Sequence, residues 1–259
     1  MHWGENVLLL IAAVIAGVMN AIAGGGTLLT FPLLLALGIS PIQANATSTV
    51  ALFLGTGGSI YGFRRKFQDI APWLKKFVPV SIIGGLLGAL LLTRTKEEVF
   101  AHLVPFLILF ATILFIAQAA VKRFSSAEAK AFSSHRGALF GAVVFQFLVA
   151  VYGGYFGAGI GILMLASLGF LGLSDIHQMN ALKNILGIFI NMTASICFIF
   201  AGLVQWPQAV VMMVGALAGY YCGAHFSQKI PQYVVRRIIG LIGLGISGML
   251  FYGRFKARH

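Results

Sequence analysis

The sequence predicts an all-α integral membrane protein, with about eight hydrophobic helical elements in two inverted-topology repeats, each opening with a glycine-broken or re-entrant helix. Composition, an internal duplication and the sidedness of basic loops predict it. The chain has 259 residues, of which 59% are hydrophobic and 9% charged. Its mean hydropathy of +0.94 is too high for a soluble domain. Ala23–Gly24–Gly25–Gly26, Gln43-Ala-Asn45-Ala and Gly84-x-x-x-Gly88 recur as Phe156–Gly157–Ala158–Gly159, Gln178-Met-Asn180-Ala and Gly215-x-x-x-Gly219. These offsets of 133, 135 and 131 residues mean that roughly half the chain is duplicated, with small insertions and deletions.

A membrane span needs about 20 predominantly apolar residues. Such stretches fall at 6–23, 45–63, 77–93, 99–121, 137–156, 184–204, 208–225 and 236–252. Two shorter apolar pieces, 27–37 and 160–171, follow the glycine clusters. The first repeat is expected over 1–121, a cytoplasmic linker over 122–136 and the second repeat over 137–259. Residues 1–5 contain Glu5 and no basic stretch, so the first apolar run reads as a retained element, not a signal peptide.

The net charge of +12 sits in short loops between spans, the pattern that orients membrane proteins, and argues against nucleic acid as the partner. Loop 64–76 carries Arg64, Arg65, Lys66, Lys75 and Lys76, and 122–136 carries Lys122, Arg123, Lys130 and Arg136; both are expected in the cytoplasm. The mixed loop 94–98 between them then faces outward. In the second repeat the bias reverses. The counterpart of 64–76 is the uncharged Val204-Gln-Trp-Pro-Gln208, while the counterpart of 94–98 holds Lys229, Arg236 and Arg237. Equivalent loops on opposite sides mean inverted repeats, provided that 137–172 enters the membrane and returns to the same face. The piece after the second glycine cluster makes only about 16 Å of helix, too short for a ~30 Å core, so a broken hairpin fits. On this topology the C-terminal Arg254, Lys256 and Arg258 lie outside, against the charge rule.

Gly24, Gly25 and Gly26 in an apolar run leave backbone groups that lipid cannot satisfy, and such a break is tolerated only against protein or a wet cavity. Glycine accepts the dihedrals of a break and lets a ligand approach closely. The amides that follow, around Thr27 and Leu28, are positioned to bind an anion at a helix start. Gly157 and Gly159 are read in the same way, whereas Gly84/Gly88 and Gly215/Gly219 read as helix-packing positions. After each break a polar run opens the next helix: Asn45-Ala-Thr47-Ser48-Thr49, then Asn180-Ala-Leu-Lys183-Asn184. Asn20 and Asn191 add amides in apolar surroundings. Helix capping alone explains Asn45 or Asn180, but not the whole set.

Lys183 lies just inside an apolar stretch, where an ionisable group is costly and suggests function. Turned inward it is a counter-ion for an anionic substrate; turned outward it snorkels to the interface. All six carboxylates, Glu5, Asp69, Glu97, Glu98, Glu128 and Asp175, fall in loops or at ends, which argues against a carboxylate-based cation carrier or proton pump. Cys197 and Cys222 lie in apolar segments without metal-ligand spacing and read as packing residues, and no metal or cofactor is expected. Gln146, Tyr152 and Tyr155 precede the second break, where they either line a cavity or simply pack. No His-Glu-x-x-His, phosphate loop or Gly-x-Ser-x-Gly elbow is present, so no enzyme is expected. Duplicated, glycine-broken halves point to a transporter with its site near mid-membrane.

From about Asn20 to the last span the chain resembles the sulfite exporter TauE/SafE-type family of membrane transporters. The marks are Asn20-Ala-Ile-Ala-Gly-Gly-Gly-Thr27, Pro32, Gly38-Ile-Ser-Pro41 and Ala44-Asn-Ala-Thr47-Ser48-Thr49. In the second half they are Tyr152-Gly-Gly-Tyr-Phe-Gly-Ala-Gly159, Asn180-Ala-Leu-Lys-Asn184 and Phe200-Ala-Gly-Leu-Val-Gln-Trp206-Pro. The resemblance implies export of small sulfur-containing anions, such as sulfite, thiosulfate or organosulfonates, across a bacterial inner membrane. The expected partners are therefore that anion and the lipid bilayer. An anion channel and a membrane subunit of a sulfur-metabolism complex are the alternatives, and a homo-oligomer is compatible with each. Ala158 and Lys183–Asn184 depart from the pattern of the first repeat, which makes the expected site asymmetric.

Overall fold

Apolar sequence becomes helix throughout the described residues. The computed structural model describes residues 3–22, 25–56, 67–132, 136–170 and 176–226, with Leu241, Leu244, Gly245 and Gly248 beyond them. Among these there is no strand. The helices are α1 (Trp3–Ile22), α2 (Thr27–Ala36), α3 (Pro41–Gly55), α4 (Phe67–Arg94), α5 (Glu97–Phe132), α6 (Arg136–Tyr155), α7 (Ile160–Phe170), α8 (Ile176–Phe200) and α9 (Trp206–Phe226). Among the described residues, four stretches are long and apolar enough to cross a membrane: Trp3–Ala21, Ile70–Arg94, Glu97–Leu114 and Ala181–Phe200. Most of the expected span 236–252, the basic residues Arg64–Lys66 and Asp175 lie outside the described residues.

Outward faces carry large apolar side chains at helical spacing: Val7, Ile11 and Ile15 on α1; Ile83, Leu87 and Leu90 on α4; Val99, Leu103, Phe106, Phe110 and Ile113 on α5. Continuous apolar faces of this kind are avoided in water and suit a lipid solvent. Polar groups are turned inward instead. Thr30, Asn45, Thr47, Ser48, Ser81, Thr112, Gln146 and Ser195 are all buried.

The duplicated glycines explain how the halves dock. Gly84 and Gly88 of α4 lie against the α6 backbone at Phe147, Ala150, Val151 and Tyr155. Gly215 and Gly219 of α9 lie in the same manner against α1 at Leu10, Ala13 and Val14. Each pair advances along both helices together, so the partners run parallel. The first helix of each half thus packs on the fourth described helix of the other, with backbones close enough that a side chain would not fit between them. Both pairs then pack inward on the polar helices, α9 on α3 and α4 on α8, and α3 packs on α8. Inside this frame sit the short helices α2 and α7, of 10 and 11 residues. Each makes only about 15 Å of helix, so neither crosses a membrane alone.

The polar runs do not open their helices. Ser40 is extended and Pro41 occupies the first helical position, so α3 starts four residues before Asn45. Its second amide, at Ile42, is bonded by the Glu97 carboxylate at 2.9 Å, a cap supplied by the first turn of α5. In the second half α8 begins at Ile176, which places Asn180, Lys183 and Asn184 well inside it. The polar residues therefore lie one to two turns inside their helices.

Candidate functional site

At the first break α1 ends at Ile22, and Gly25, with φ +90°, redirects the chain into α2. Gly24 lies outside the described residues. The Gly26 amide donates to Asn20 Oδ1 at 2.7 Å, and the Leu28 amide returns to the Gly25 carbonyl at 2.9 Å. Asn20 also hydrogen-bonds the Tyr220 hydroxyl, tying the break to α9. Space here is tight: a Cβ at Gly26 would lie 2.6 Å from the Ala16 carbonyl. Thr27, half-buried, is the first residue of α2. One turn on, the Thr30 hydroxyl meets Ser48 Oγ of α3 at 2.6 Å and lies 3.2 Å from the Gly26 carbonyl.

At the second break α6 ends at Tyr155, and the Phe156 and Gly157 amides both bond the Tyr152 carbonyl at 2.9 and 3.2 Å. Gly157 and Gly159 have φ of +80° and +78°, a region in which only glycine is unstrained, and together they turn the chain into α7. The Tyr152 hydroxyl donates to the Ala158 carbonyl at 2.8 Å and so braces the loop. Phe156 is buried edge-on to Phe31 of α2, with ring centroids 5.4 Å apart, which brings the second break against the helix that leaves the first.

Two polar residues from opposite halves flank this loop. Asn45 Nδ2 donates to the Tyr155 carbonyl at 3.1 Å, across the end of α6. On the other side the stem of Lys183 runs along Gly161, where a Cβ would stand 3.4 Å from its Cδ. Lys183 is half-buried, at the first turn of α7. The stem of a cationic side chain, a carboxamide and a glycine-rich backbone thus lie at one discontinuity inside the helical frame. Such an arrangement can hold a small anion: the charge supplies attraction, while the broken backbone permits close approach.

Of the residues expected to form a site, Asn20, Gly25, Gly26 and Ser48 gather at the first break, and Asn45, Gly157, Gly159 and Lys183 at the second. Asn45 and Ser48 are one turn apart on α3 and link the two. Thr47 has a different employment. Fully buried, it accepts the Gln205 amide at 3.0 Å, while Gln205 Nε2 donates to Gln43 Oε1 at 3.0 Å. This clamps α3 to the start of α9. A Thr47→Val variant removes the acceptor and keeps the shape. Its expected cost is about 1–3 kcal/mol of stability, seen as a lower melting temperature in detergent and restored by Thr47→Ser. Asn184 is half-buried on α8; the Asn180 side chain lies outside the described residues. Gln146 is wholly buried and donates to Ser81 at 3.0 Å between α6 and α4, so it belongs to the frame. Sequence reasoning missed Thr30, whose signal was a hydroxyl pair in an otherwise apolar short helix, and the Glu97 cap, for which proline at the first helical position was a clue.

A family model described as Sulfite exporter TauE/SafE matches residues 9–250. The chain is 28% identical over 251 residues to "Probable membrane transporter protein YfcA" of Escherichia coli (strain K12), covering 95% of this chain and 89% of that one. It is 28% identical over 258 residues to a "Probable membrane transporter protein" of Haemophilus influenzae, covering 97% of each. A third relative, "Probable membrane transporter protein ORF9" of Sinorhizobium sp, is 26% identical over 247 residues, with 92% of this chain and 89% of the relative covered. No solved structure matches.

Proposed function

The chain belongs to the sulfite exporter TauE/SafE family of membrane transporters, and from that premise we propose that it is a secondary carrier that exports a small sulfur-containing anion across the inner membrane by alternating access. Sulfite, thiosulfate and organosulfonates are the substrate class. The observation that carries the reading is Lys183, half-buried with its stem along Gly161 beside the glycine-broken loop, because a cation placed at a discontinuity in an apolar frame is positioned to attract an anion. Reciprocal docking of the first helix of each half on the other half supports inverted repeats that rock against one another. The Lys183 charge, the Gly157–Gly159 loop and the Asn45 amide hold the anion. At the first break Asn20, Thr30 and Ser48 complete the polar path.

Reconstitution tests this. Proteoliposomes containing the purified protein are expected to take up labelled thiosulfate or sulfite with saturation, and to show counterflow when preloaded with the unlabelled anion. Flux that neither saturates nor shows counterflow would identify a channel. No flux for any sulfur anion would leave the role of a subunit serving a partner enzyme.

A further inference from the structure

We infer that the anion accepted at the second break carries a hydrogen-bond donor of its own, an O–H or N–H, which Asn45 receives; this rests on the transport reading above. Asn45 is 1% exposed, and its amide orientation is settled by chemistry. The Tyr155 carbonyl only accepts, so the group facing it at 3.1 Å is the NH2. The other end of the amide, Oδ1, is then a pure acceptor, and it has no partner among the described residues. Its neighbours do not share this condition. Thr30 and Ser48 bond each other, and the Thr49 hydroxyl donates to the Asn45 carbonyl at 2.8 Å. Four other buried side-chain atoms, Asn6 Oδ1, Gln146 Oε1, Ser195 Oγ and Gln208 Oε1, are likewise unmet among the described residues, but Asn45 is the one bonded to the residue before the loop, and an unmet acceptor is costly to bury.

The position gives this acceptor its meaning. Asn45 touches the last residue before the loop, and Lys183 lies on Gly161 just after it. An anion seated on the loop between these two residues has one side toward Asn45. A fully deprotonated oxyanion or a plain alkanesulfonate offers only lone pairs there, which Oδ1 repels. Monohydrogen sulfite, or a sulfonate bearing a hydroxyl or ammonium group, offers the missing hydrogen. Sites with a fixed buried polar group discriminate strongly against the analogue that cannot pair with it. The inferred class is thus the donor-bearing subset of small sulfur anions.

The test compares 2-hydroxyethanesulfonate with 1-propanesulfonate, similar in size and equal in charge but differing in the hydroxyl. Each is used to compete against uptake of a transported sulfur anion and, separately, to stabilise the purified protein against melting, a readout that needs no flux. The hydroxylated compound is expected to act at roughly tenfold or more lower concentration in both measurements. An Asn45→Leu variant, checked for folding by its melting curve, is expected to lose that preference by losing the hydroxylated ligand. Because the comparison in the unaltered protein stands alone, a misfolded variant leaves the inference testable. Equal action of the two compounds, or none from either, overturns it and means that Oδ1 is met by a water or a bound cation. Saturable thiosulfate uptake in that same outcome would keep the transport reading intact, whereas a melting preference without uptake would retain the donor rule and strike transport.

Discussion

A Lys183→Gln variant is expected to insert and fold but to lose most anion transport, with a fall on the order of a hundredfold at subsaturating substrate. Glutamine keeps a polar head on a somewhat shorter stem and removes the charge. Truncating one member of a buried charge pair costs about 2–5 kcal/mol, and each 1.4 kcal/mol is tenfold. Even a Cβ added at Gly161 would stand 3.4 Å from the Lys183 stem, so a shorter side chain at position 183 introduces no strain. Initial rates in proteoliposomes and thermal shifts with sulfite measure the effect. Unchanged uptake would mean that Lys183 serves the interface and not the substrate, and the charge assignment would fall.

The second large effect belongs to the frame. Gly154→Val is expected to abolish stable folding, because a Cβ at Gly154 would overlap the Gly85 carbonyl oxygen and press on the Ala89 amide. These are backbone atoms of α4, which cannot give way as a side-chain tip can. Relief requires α6 and α4 to separate along their shared length, where Gly84 and Gly88 are packed equally closely. Overpacking commonly costs about 1–3 kcal/mol, and backbone against backbone belongs at or above the upper end. Yield of monodisperse protein and melting temperature measure it. Gly141→Ala on the same helix is the control: a Cβ there meets nothing within 4 Å, so normal yield is expected.

Much of this architecture is legible in the chain because it follows from rules that act locally. Lipid cannot solvate open backbone, so Gly25–Gly26 and Gly157–Gly159 mark breaks in the chain, and the short apolar run at 160–171 makes only a short helix. Paired small residues one turn apart, as at Gly84/Gly88 and Gly215/Gly219, had to let helices approach. Helix starts were less legible. Asn45 and Asn180 look like openers because asparagine caps well, yet Pro41 sets the start of α3 a turn earlier and Glu97 caps it from another helix. Thr47 reads as a ligand-facing hydroxyl by its neighbours, and its acceptor role toward Gln205 became visible only when α9 was in place.

By itself the sequence determined that the protein is helical, membrane-embedded and duplicated, and that each half is interrupted at glycine. Hydropathy, chain length per turn and backbone hydrogen bonding act over a few residues, so a single chain displays their outcome. Tertiary structure alone decided which polar groups meet. Asn45 finds Tyr155 from 110 residues away, and Thr47 finds Gln205 across 158. Those pairings depend on how helices cross, set by the close docking of α1 on α9 and α4 on α6. The same docking placed Lys183 beside the second break, where one charge among apolar residues became part of a candidate anion site.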